Sequence, residues 1–460
     1  MFGEKDSEEV LFPYRKIYYQ LKEGIYFVPG VKGTAICDTT TGNVYSINEA
    51  GKRALLGQQE EPDYLQQLKE LGLVDGQPQP IELQKPKFAL DFVWFELTED
   101  CNERCAHCYA NSMPPRLRRL LPMAQTTGYE TNGRVKLTAE RWRELIRESY
   151  DLGCRECQFI GGEPFFWHGE NKETMLDLAT YAKGMGYLSI EIFTNATLIH
   201  PEDIQRIKEL DLHIAVSLYS DDEEVHDTIT KTPGSFARTT QALERLKEAG
   251  VQTRVETVLM RPNQHTVEST NQFIQQMGFN HRSPDVLRPK GRGDNLELIP
   301  DPESLVKYGL ILGPDFSASP DFFQRSVDGH NCLAGKITIT DNGNVLPCIF
   351  SREQIVGNVR QKSLEEVLED KIQQIWGLTK DDVLVCQDCQ YRYVCFDCRP
   401  LSEGATSGNG KYASAPYPRC THNPYEDRWG NGTWKLDGNG QPYYDETLKP
   451  IIEKVRSEGR

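Results

Sequence analysis

Three cysteines, Cys101, Cys105 and Cys108, lie close together in the stretch CNERCAHCY. A structural zinc site normally has four protein ligands, and this C-x3-C-x2-C spacing supplies only three. A 4Fe–4S cluster needs one thiolate for each iron, so three cysteines leave one iron open to a small chelating molecule. The spacing predicts such an open cluster, or a zinc site that takes His107 or a distant residue as its fourth ligand.

A second group of cysteines occupies the C-terminal part of the chain, which contains seven of the thirteen. This region has little periodicity, and a fold with so small a core needs another stabiliser such as bound metal. Seven cysteines are too many for one zinc ion and one too few for two, although a zinc-ribbon-like domain stays the alternative to iron–sulfur clusters. The seven are Cys332, Cys348, Cys386, Cys389, Cys395, Cys398 and Cys420. We expect Cys37, Cys154 and Cys157 to be small apolar residues of the core.

The segments that position the first group alternate between strand-like and helix-like patterns from residue 91 onward. Five stretches carry apolar residues at i, i+3 and i+4, which predicts amphipathic helices. The alternation predicts βαβ units and a parallel sheet. Six strands fit an open or partial barrel, whose chemistry lies at the C-terminal strand ends. The predicted strands are DFVWFEL, CQFIGG, LSIEIFTN, HIAVSLYS, VQTRVETVLM and SPDVLRP.

The chain divides into five expected regions. Residues 1–75 contain short β-type runs, glycine turns and an amphipathic stretch, which predicts a small sheet with a few helices. Residues 76–90 are rich in Pro and Gln and are expected to be a linker. We expect the barrel at 91–315, a Cys-rich domain at 325–425 with a hairpin at the NG turn of KITITDNGNVLPC, and a tail at 426–460.

The net charge and the distribution of apolar residues argue against two kinds of binding partner, nucleic acids and membranes. A formal net charge of −16 argues against a nucleic-acid partner, which usually requires a basic face. The polar start MFGEKDSEEV has no signal-peptide pattern. The sequence also contains no apolar window of about 18 residues, so we expect no membrane span. We therefore expect a cytoplasmic protein without membrane contact, whose cysteines bind metal instead of forming disulfides.

The cysteine loop and the strand ends together resemble the radical S-adenosylmethionine (SAM) superfamily. CNERCAHCY is similar to its C-x3-C-x-aromatic-C signature, with His107 in the aromatic place. GGEP, the Asn of FTNATLI, the Ser of AVSLYS and LRPKGRG, with Arg288 and Gly291, resemble its strand-end motifs. The resemblance implies an α/β partial (β/α)6 barrel in which Cys101, Cys105 and Cys108 hold a 4Fe–4S cluster. It implies that the residues that help to hold SAM are His107, Gly161, Gly162, Glu163, Asn195 and Ser217.

The C-terminal cysteines resemble the SPASM domain, which holds two auxiliary 4Fe–4S clusters. The sequence departs once from that pattern, because Cys395 and Cys398 are separated by two residues instead of three. The resemblance implies that Cys332, Cys348 and Cys398 hold the nearer cluster, with either an open iron or a ligand such as His330. The distal cluster would take Cys386, Cys389, Cys395 and Cys420.

The combined resemblance implies an enzyme that matures ribosomally made peptides. Residues 1–75 resemble a winged-helix-like element that captures a leader peptide as an added strand, a known mode of peptide binding; a structural cap is the alternative. A 5′-deoxyadenosyl radical would abstract hydrogen, and the peptide would close a thioether, C–C or ether crosslink. The implied partners are the precursor peptide and an electron donor such as flavodoxin or ferredoxin. No residue of the sequence identifies itself as a catalytic base.

Three other functions stay open. Peptide epimerisation or splicing would use the same cofactors. An anaerobic sulfatase-maturating enzyme usually has Asp after the second SPASM cysteine, where this chain has Ile349. An electron-transfer module without catalysis would need neither GGEP nor an open cluster.

Overall fold

The structure is a computed structural model that describes residues 21–56, 58, 62–74, 87–120, 136–280, 283–311, 316–404 and 414–458. Most of the predicted linker and the first twenty residues of the predicted N-terminal region lie outside the described residues. Among those described, no helix combines the length and apolar character needed to cross a bilayer.

The N-terminal part is an antiparallel three-stranded sheet that packs on two helices. The strands lie in the order β1-β2-β3, and Ile36 of the central strand is fully buried against Leu55 and Leu73. The first helix begins where the Asn48 side chain accepts a hydrogen bond from the Gly51 N–H, which satisfies one of the free donors at a helix start. The elements are β1 (Ile25–Pro29), β2 (Thr34–Asp38), β3 (Asn43–Ile47), α1 (Glu49–Leu55) and α2 (Pro62–Glu70).

The central part contains the predicted parallel strands. Five of them pair in chain order, namely β4 (Phe92–Glu96), β5 (Glu156–Ile160), β6 (Ser189–Thr194), β7 (His213–Ser217) and β8 (Thr253–Glu256). The fifth strand continues after Thr257 as β9 (Val258–Leu259), which pairs in parallel with β10 (Asp285–Val286). Every predicted strand therefore forms, and the α/β partial barrel is confirmed.

Helices cover the outside of this sheet. Trp142, Leu145 and Ile146 are fully buried in the same core as Phe95 and Phe159, as the predicted amphipathic pattern requires. The five predicted helices form, and two additional short ones are present, α3 after the cysteine loop and α7 after the fourth strand. The helices are α3 (Pro115–Arg118), α4 (Ala139–Asp151), α5 (Met175–Met185), α6 (Pro201–Glu209), α7 (Glu223–Thr230), α8 (Ser235–Glu248) and α9 (Val267–Gln276).

The C-terminal hairpin extends the barrel sheet instead of forming a separate one. Strand β11 (Lys336–Thr340) pairs in parallel with β4 and antiparallel with β12 (Asn344–Leu346), which pairs with β13 (Gly357–Asn358). The resulting eight-stranded order is β13-β12-β11-β4-β5-β6-β7-β8. Strand β12 runs back from the C-terminal edge of β11, with Leu346 opposite Thr338, and Cys348 follows it after Pro347.

The remaining chain is mostly short elements around the cysteines. His422 pairs with Trp429 in a small hairpin, which spans residue 425, the predicted end of the Cys-rich domain. The last helix packs Ile452 against Leu305 and Val306, which belong to the short helix at residues 302–307. The elements are α10 (Pro302–Lys307), α11 (Pro320–Asp328), α12 (Leu364–Val367), α13 (Lys371–Trp376), α14 (Arg399–Gly404), β14 (His422–Asn423), β15 (Arg428–Trp429), β16 (Thr433–Leu436), β17 (Pro442–Asp445) and α15 (Lys449–Ser457).

The β1–β2 hairpin is docked on the segment between Cys386 and Cys395. The Val31 N–H donates to the Asp388 carbonyl at 2.9 Å, and the Arg392 guanidinium donates to the Pro29 carbonyl at 2.7 Å. A Cβ at Gly30 would lie 2.7 Å from the backbone nitrogen of Gln390. The N-terminal sheet and the Cys-rich region therefore meet backbone to backbone.

Gly30→Ala is expected to destabilise this junction. The added methyl group would meet backbone atoms that cannot move independently, and such overpacking costs about 1–3 kcal/mol. Anaerobic urea denaturation at matched iron content measures the change in the free energy of unfolding. Gly438→Ala is the control, because a Cβ there meets no atom within 4 Å. Equal stability of the two variants would contradict the docked hairpin.

Candidate active site and iron–sulfur sites

A cavity of about 500 Å³ opens at the C-terminal ends of the barrel strands. Eight of the residues predicted for the first cluster and for SAM line this one cavity. They are Cys101, Cys105, His107, Cys108, Gly161, Gly162, Asn195 and Ser217. Glu163 is 1% exposed and lies behind the wall instead of in it. The geometry thus brings together residues that are far apart in the sequence.

The cysteine loop is held from outside by the sixth-strand motif. Arg292 donates from Nε to the Cys105 carbonyl at 2.8 Å and from Nη2 to the Ser112 carbonyl at 2.7 Å. Gly291 has a φ of +56°, and a Cβ there would lie 2.4 Å from the Tyr109 carbonyl oxygen. Only glycine fits that position easily. Sequence reasoning pointed to Arg288 and Gly291 and missed Arg292, although the motif LRPKGRG contains it.

The GGEP segment is joined to the chain just before the cysteine loop. The Gly162 N–H donates to the Thr98 carbonyl at 2.5 Å, and the Glu163 N–H donates to the Asp100 carbonyl at 3.0 Å. A Cβ at Gly162 would lie 2.1 Å from the Asp100 carbonyl oxygen, so a larger residue would push the two segments apart. These glycines therefore fix where Cys101 begins the loop.

The Glu163 carboxylate is buried and fully engaged by the third strand end. It accepts hydrogen bonds from Thr194 Oγ1 at 2.7 Å and from the Asn195 N–H at 2.9 Å. Burial, partly opposed by these bonds, raises the pKa of Glu163 to about 7. A buried carboxylate of this kind gains from a cationic partner, and the sulfonium amino acid SAM carries an ammonium group.

The three thiols suit a cluster better than a single ion. Within the described ranges, no three Cys, His, Asp or Glu side chains converge closely enough to hold one metal ion. Backbone N–H groups donate to the sulfurs, from Glu103 to Cys101 at 3.4 Å and from Ser112 to Cys108 at 3.3 Å. Thiolates of iron–sulfur clusters commonly accept such bonds. The residues present therefore fit a 4Fe–4S group that each cysteine binds at a different iron.

His107 presents a buried ring without a partner. The ring lies edge-to-face against Tyr219, with centroids 4.7 Å apart, and burial lowers its pKa to about 4, so the ring is neutral. Its Nδ1 has no hydrogen-bond partner among the described residues. An unsatisfied polar atom in a cavity wall calls for a ligand or water, which agrees with the predicted place of His107 beside SAM.

Asn195 and Ser217 make contacts of their own in the wall. Asn195 Nδ2 donates to Asn102 Oδ1 at 2.9 Å, and its Oδ1 accepts from Thr197 Oγ1 at 2.7 Å. The Asn195 side chain thus orients the cysteine loop. The Ser217 side chain lies close to Tyr219. A SAM contact of either residue stays a prediction.

The inner part of the cavity contains an ion pair that sequence reasoning missed. Arg254 forms two hydrogen bonds with Glu191, at 2.6 and 2.7 Å, and a further ion pair with Glu256. All three residues line the cavity. Since side chains of a strand alternate, the shared face of Arg254 and Glu256 in TRVE could have indicated this charged surface.

Four C-terminal cysteines line a second pocket. They are Cys386, Cys389, Cys395 and Cys420, the set predicted for the distal cluster. The buried Lys380 also lines it, and its Nζ lies 3.0 Å from Cys395 Sγ. Burial alone would lower the pKa of Lys380, but the neighbouring thiols raise it, so the ammonium stays charged.

The three cysteines predicted for the nearer cluster also lie together. Burial and then the neighbouring Cys332 raise the pKa of the Cys348 thiol to about 12, with a further contribution from Cys398. The Arg288 guanidinium hydrogen-bonds to Cys398 and also lines the main cavity. Tyr109 lies next to both Cys108 and Cys348, so one aromatic ring is shared by the two sites.

His330 does not have the predicted ligand role. Its Nε2 lies 3.1 Å from Asp397 Oδ2, and its Nδ1 accepts from the N–H groups of Cys332 and Leu333, both at 3.1 Å. Both ring nitrogens are therefore occupied, and the ring fixes the backbone that presents Cys332. The nearer set consists of three thiols within the described residues, which leaves the open-iron alternative as the prediction.

Replacing Glu163 by Gln tests the predicted ammonium contact. Because the pKa is raised to about 7, the carboxyl becomes anionic as the pH rises through that value, and SAM affinity should rise with it. Glu163→Gln should weaken SAM binding at pH 8 by about tenfold, as expected for a hydrogen bond to a charged group, and should remove the pH dependence. Equilibrium dialysis measures both. Glu140→Gln on the exposed face of α4 is the control. An equal loss of SAM affinity in the two variants would contradict a contact between Glu163 and the SAM ammonium group.

Lys380→Met tests the distal set. Loss of a buried positive charge beside the sulfurs should lower the reduction potential of that cluster, because the reduced form carries more negative charge. A shift on the order of 100 mV follows from the Coulomb energy of a charge at this distance. Redox titration followed by electron paramagnetic resonance measures it, with Lys435→Met as a surface control. An unchanged potential at full iron content would exclude the assignment.

Comparison with known proteins agrees with this geometry. The model of the radical SAM superfamily matches residues 95–274, and that of the iron–sulfur cluster-binding SPASM domain matches residues 332–390. The chain is 24% identical to the AdoMet-dependent heme synthase of Methanosarcina barkeri (strain Fusaro / DSM 804), over 72% of this chain and 96% of that protein. It is 27% identical to the antilisterial bacteriocin subtilosin biosynthesis protein AlbA of Bacillus subtilis (strain 168), over 61% of this chain and 60% of that protein.

Among solved structures, the crystal structure of Streptococcus suis SuiB is similar in fold. Its TM-score is 0.51 at 15% identity, and the match covers 83% of this chain and 96% of that chain. The matched radical SAM range contains Cys101, Cys105 and Cys108, and the matched SPASM range contains Cys332, Cys348, Cys386 and Cys389. The chain is therefore an enzyme that contains a radical SAM domain over residues 95–274 and an iron–sulfur cluster-binding SPASM domain over residues 332–390.

Proposed function

We propose that this enzyme modifies a ribosomally synthesised precursor peptide by hydrogen abstraction and crosslinking. The observation that carries the proposal is the N-terminal sheet, which is docked on the Cys-rich region and has an unpaired edge. Strand β3 pairs only with β2 among the described residues, and an exposed strand edge binds an extended peptide through its main chain. The relationship to AlbA, a bacteriocin biosynthesis protein, supports the same substrate class.

The position of this edge supports a path from recognition to reaction. Ser46 of β3 lies close to the Tyr391 hydroxyl, and Tyr391 lies in the chain between Cys389 and Cys395 of the distal set. Tyr26 of β1 stacks on Phe323 at 4.3 Å. A leader peptide bound along β3 would therefore be held against the Cys-rich region, and its following residues could extend toward the barrel cavity.

The residues of the site have distinct tasks in this proposal. When bound, the cluster and SAM supply a 5′-deoxyadenosyl radical that takes a hydrogen atom from the substrate, and the auxiliary clusters supply one-electron acceptors. Cys101, Cys105 and Cys108 would bind the first cluster. Ile349, Phe350 and Leu287 form an apolar part of the cavity wall, which excludes water from a reactive carbon. The residues that would orient SAM are His107, Gly161, Gly162, Glu163, Asn195 and Ser217.

Ile349 bears on the sulfatase-maturating alternative. It follows Cys348 directly, and its side chain lines the cavity. An aliphatic side chain accepts no proton, so the position where that group usually has an Asp offers no base here. This supports peptide crosslinking over formylglycine formation.

A tetrapyrrole substrate is the second candidate. The match to the heme synthase spans nearly that whole protein, and the cavity has broad apolar surfaces at Phe92, Trp94 and Phe193. Such a substrate would be changed while the peptide stays unmodified, whereas peptide crosslinking removes two hydrogen atoms from the peptide. The two candidates therefore give different products that mass spectrometry separates.

Anaerobic co-expression of this chain with a candidate precursor peptide and iron–sulfur assembly factors tests the proposal. We expect the peptide to lose two hydrogen atoms within one fragment. Cys105→Ala should abolish this product together with 5′-deoxyadenosine formation. Cys395→Ser should abolish the product alone, and the buried Cys154→Ala serves as the control.

Two other outcomes of this experiment would contradict peptide crosslinking. An unchanged mass with deuterium uptake from heavy water would indicate epimerisation. Conversion of an added tetrapyrrole, with no change in the peptide, would replace the proposal by the second candidate.

A further inference from the structure

One surface of this acidic protein is basic, and it lies next to the first cysteine loop. The chain has a formal net charge of −16, yet residues 104–120 contain four arginines and no Asp or Glu. Arg116 and Arg119, at helix α3, are exposed. No carboxylate of the described residues lies within ion-pair distance of either guanidinium. Leu117 is 36% exposed and Leu120 is 78% exposed, so an apolar patch lies between basic side chains.

The basic surface continues beyond α3. Arg118 and Lys136 both reach the Asp100 carboxylate, at 3.6 and 2.8 Å, which joins α3 to a surface groove of about 550 Å³. The exposed Arg360 and Lys362 lie on the other side of the groove. Of its acidic residues, Glu148 is paired with Arg141, and Glu366, in the first turn of α12, accepts hydrogen bonds from Ser363.

This surface lies directly behind the first cluster. Asp100 immediately precedes Cys101 in the chain, and both residues contact Met113, which leads into α3: Asp100 by a β-bridge and Cys101 through its N–H at 3.2 Å. Cys101 faces the cavity on the other side. The basic surface at Asp100 is therefore only one residue along the chain from Cys101, a predicted ligand of the first cluster. SAM and substrate are expected on the opposite side, in the cavity.

We propose that this basic face docks an acidic one-electron donor protein of the flavodoxin type. The basic face is defined by Arg116, Arg119, Lys136, Arg360 and Lys362, with Leu117 and Leu120 between them. In the step that it serves, the flavin of the donor is oxidised by one electron, and the iron–sulfur group held by Cys101, Cys105 and Cys108 is reduced by one. Electron transfer falls steeply with distance, so a donor must dock where the cluster comes nearest to the surface.

The chemistry of the face matches such a partner. Redox encounters use small interfaces, and complementary charge raises their association rate and makes it salt-dependent. An apolar patch inside a charged rim suits contact with the exposed edge of a flavin. The face is also distinct from the β3 edge proposed for the peptide, so one enzyme could bind donor and precursor at the same time.

The double variant Arg116→Glu/Arg119→Glu tests the proposal in the cluster-loaded enzyme. The probe is a bacterial flavodoxin with a strongly negative net charge. At low ionic strength its dissociation constant should increase by about tenfold or more, and the difference should shrink as salt screens the charges. Fluorescence quenching of the flavin measures the binding without any turnover. Lys32→Glu/Lys208→Glu, at exposed sites elsewhere, changes the net charge equally and should leave binding unchanged.

Turnover gives the second readout, and it does not depend on the identity of the peptide. Formation of 5′-deoxyadenosine with flavodoxin and its reductase should fall by the same factor as binding, while formation with dithionite should stay at the level of the parent. Flavodoxin binding equal to that of the parent would overturn the proposal. So would an equal loss with dithionite, because the face would then support the cluster loop itself. Loss of precursor binding with intact flavodoxin binding would reassign the face to an acidic leader peptide.

Discussion

The parallel pairing of β11 with β4 is the constraint on which the rest of the active site depends. Five residue pairs, from Lys336 opposite Phe92 to Thr340 opposite Glu96, fix the register. Because the two strands run in parallel, their C-terminal ends lie at the same edge of the sheet. One end leads into the cysteine loop, and the other leads into the turn before β12, which runs back along β11 before the chain reaches Cys348. Without this pairing, Ile349 and Phe350 would not close the cavity, and the two cysteine groups would belong to separate bodies.

A buried ion pair holds that edge together. Glu96, the last residue of β4, is 1% exposed and accepts two hydrogen bonds from Arg352, at 2.6 and 2.9 Å. Taking two charges out of water is unfavourable unless the geometry is excellent, and a bidentate pair meets that condition. Arg352 also lies over the Tyr109 ring, which packs edge-to-face against Phe350. The pair thus sets the position of the aromatic side chains between Cys108 and Cys348.

Local patterns account for the parts of the fold that could be predicted. The period of two in strands and of 3.6 in helices placed the six strand runs and five helices around the barrel. Helix α7 was missed, because DDEEVHDTIT is short and acidic and has the pattern of a loop, although the Asp222 side chain caps it by accepting from the Val225 N–H. The break of the fifth strand at Thr257, which donates to the Leu218 carbonyl at 2.7 Å, likewise has no local signal.

The sequence by itself determined the chemistry: a loop of three thiols, the strand-end segments that surround it, and a second cysteine group of the right size for further clusters. Covalent spacing and local periodicity are sufficient for these, because each depends on residues close together in the chain. Only the tertiary structure decided that β11 extends the barrel sheet, that Arg292 holds the cysteine loop and that His330 orients backbone instead of binding iron. It also decided that Lys380 stands beside Cys395 and Arg254 beside Glu191. These contacts join distant segments through packing and burial, which leave no repeating pattern in the sequence.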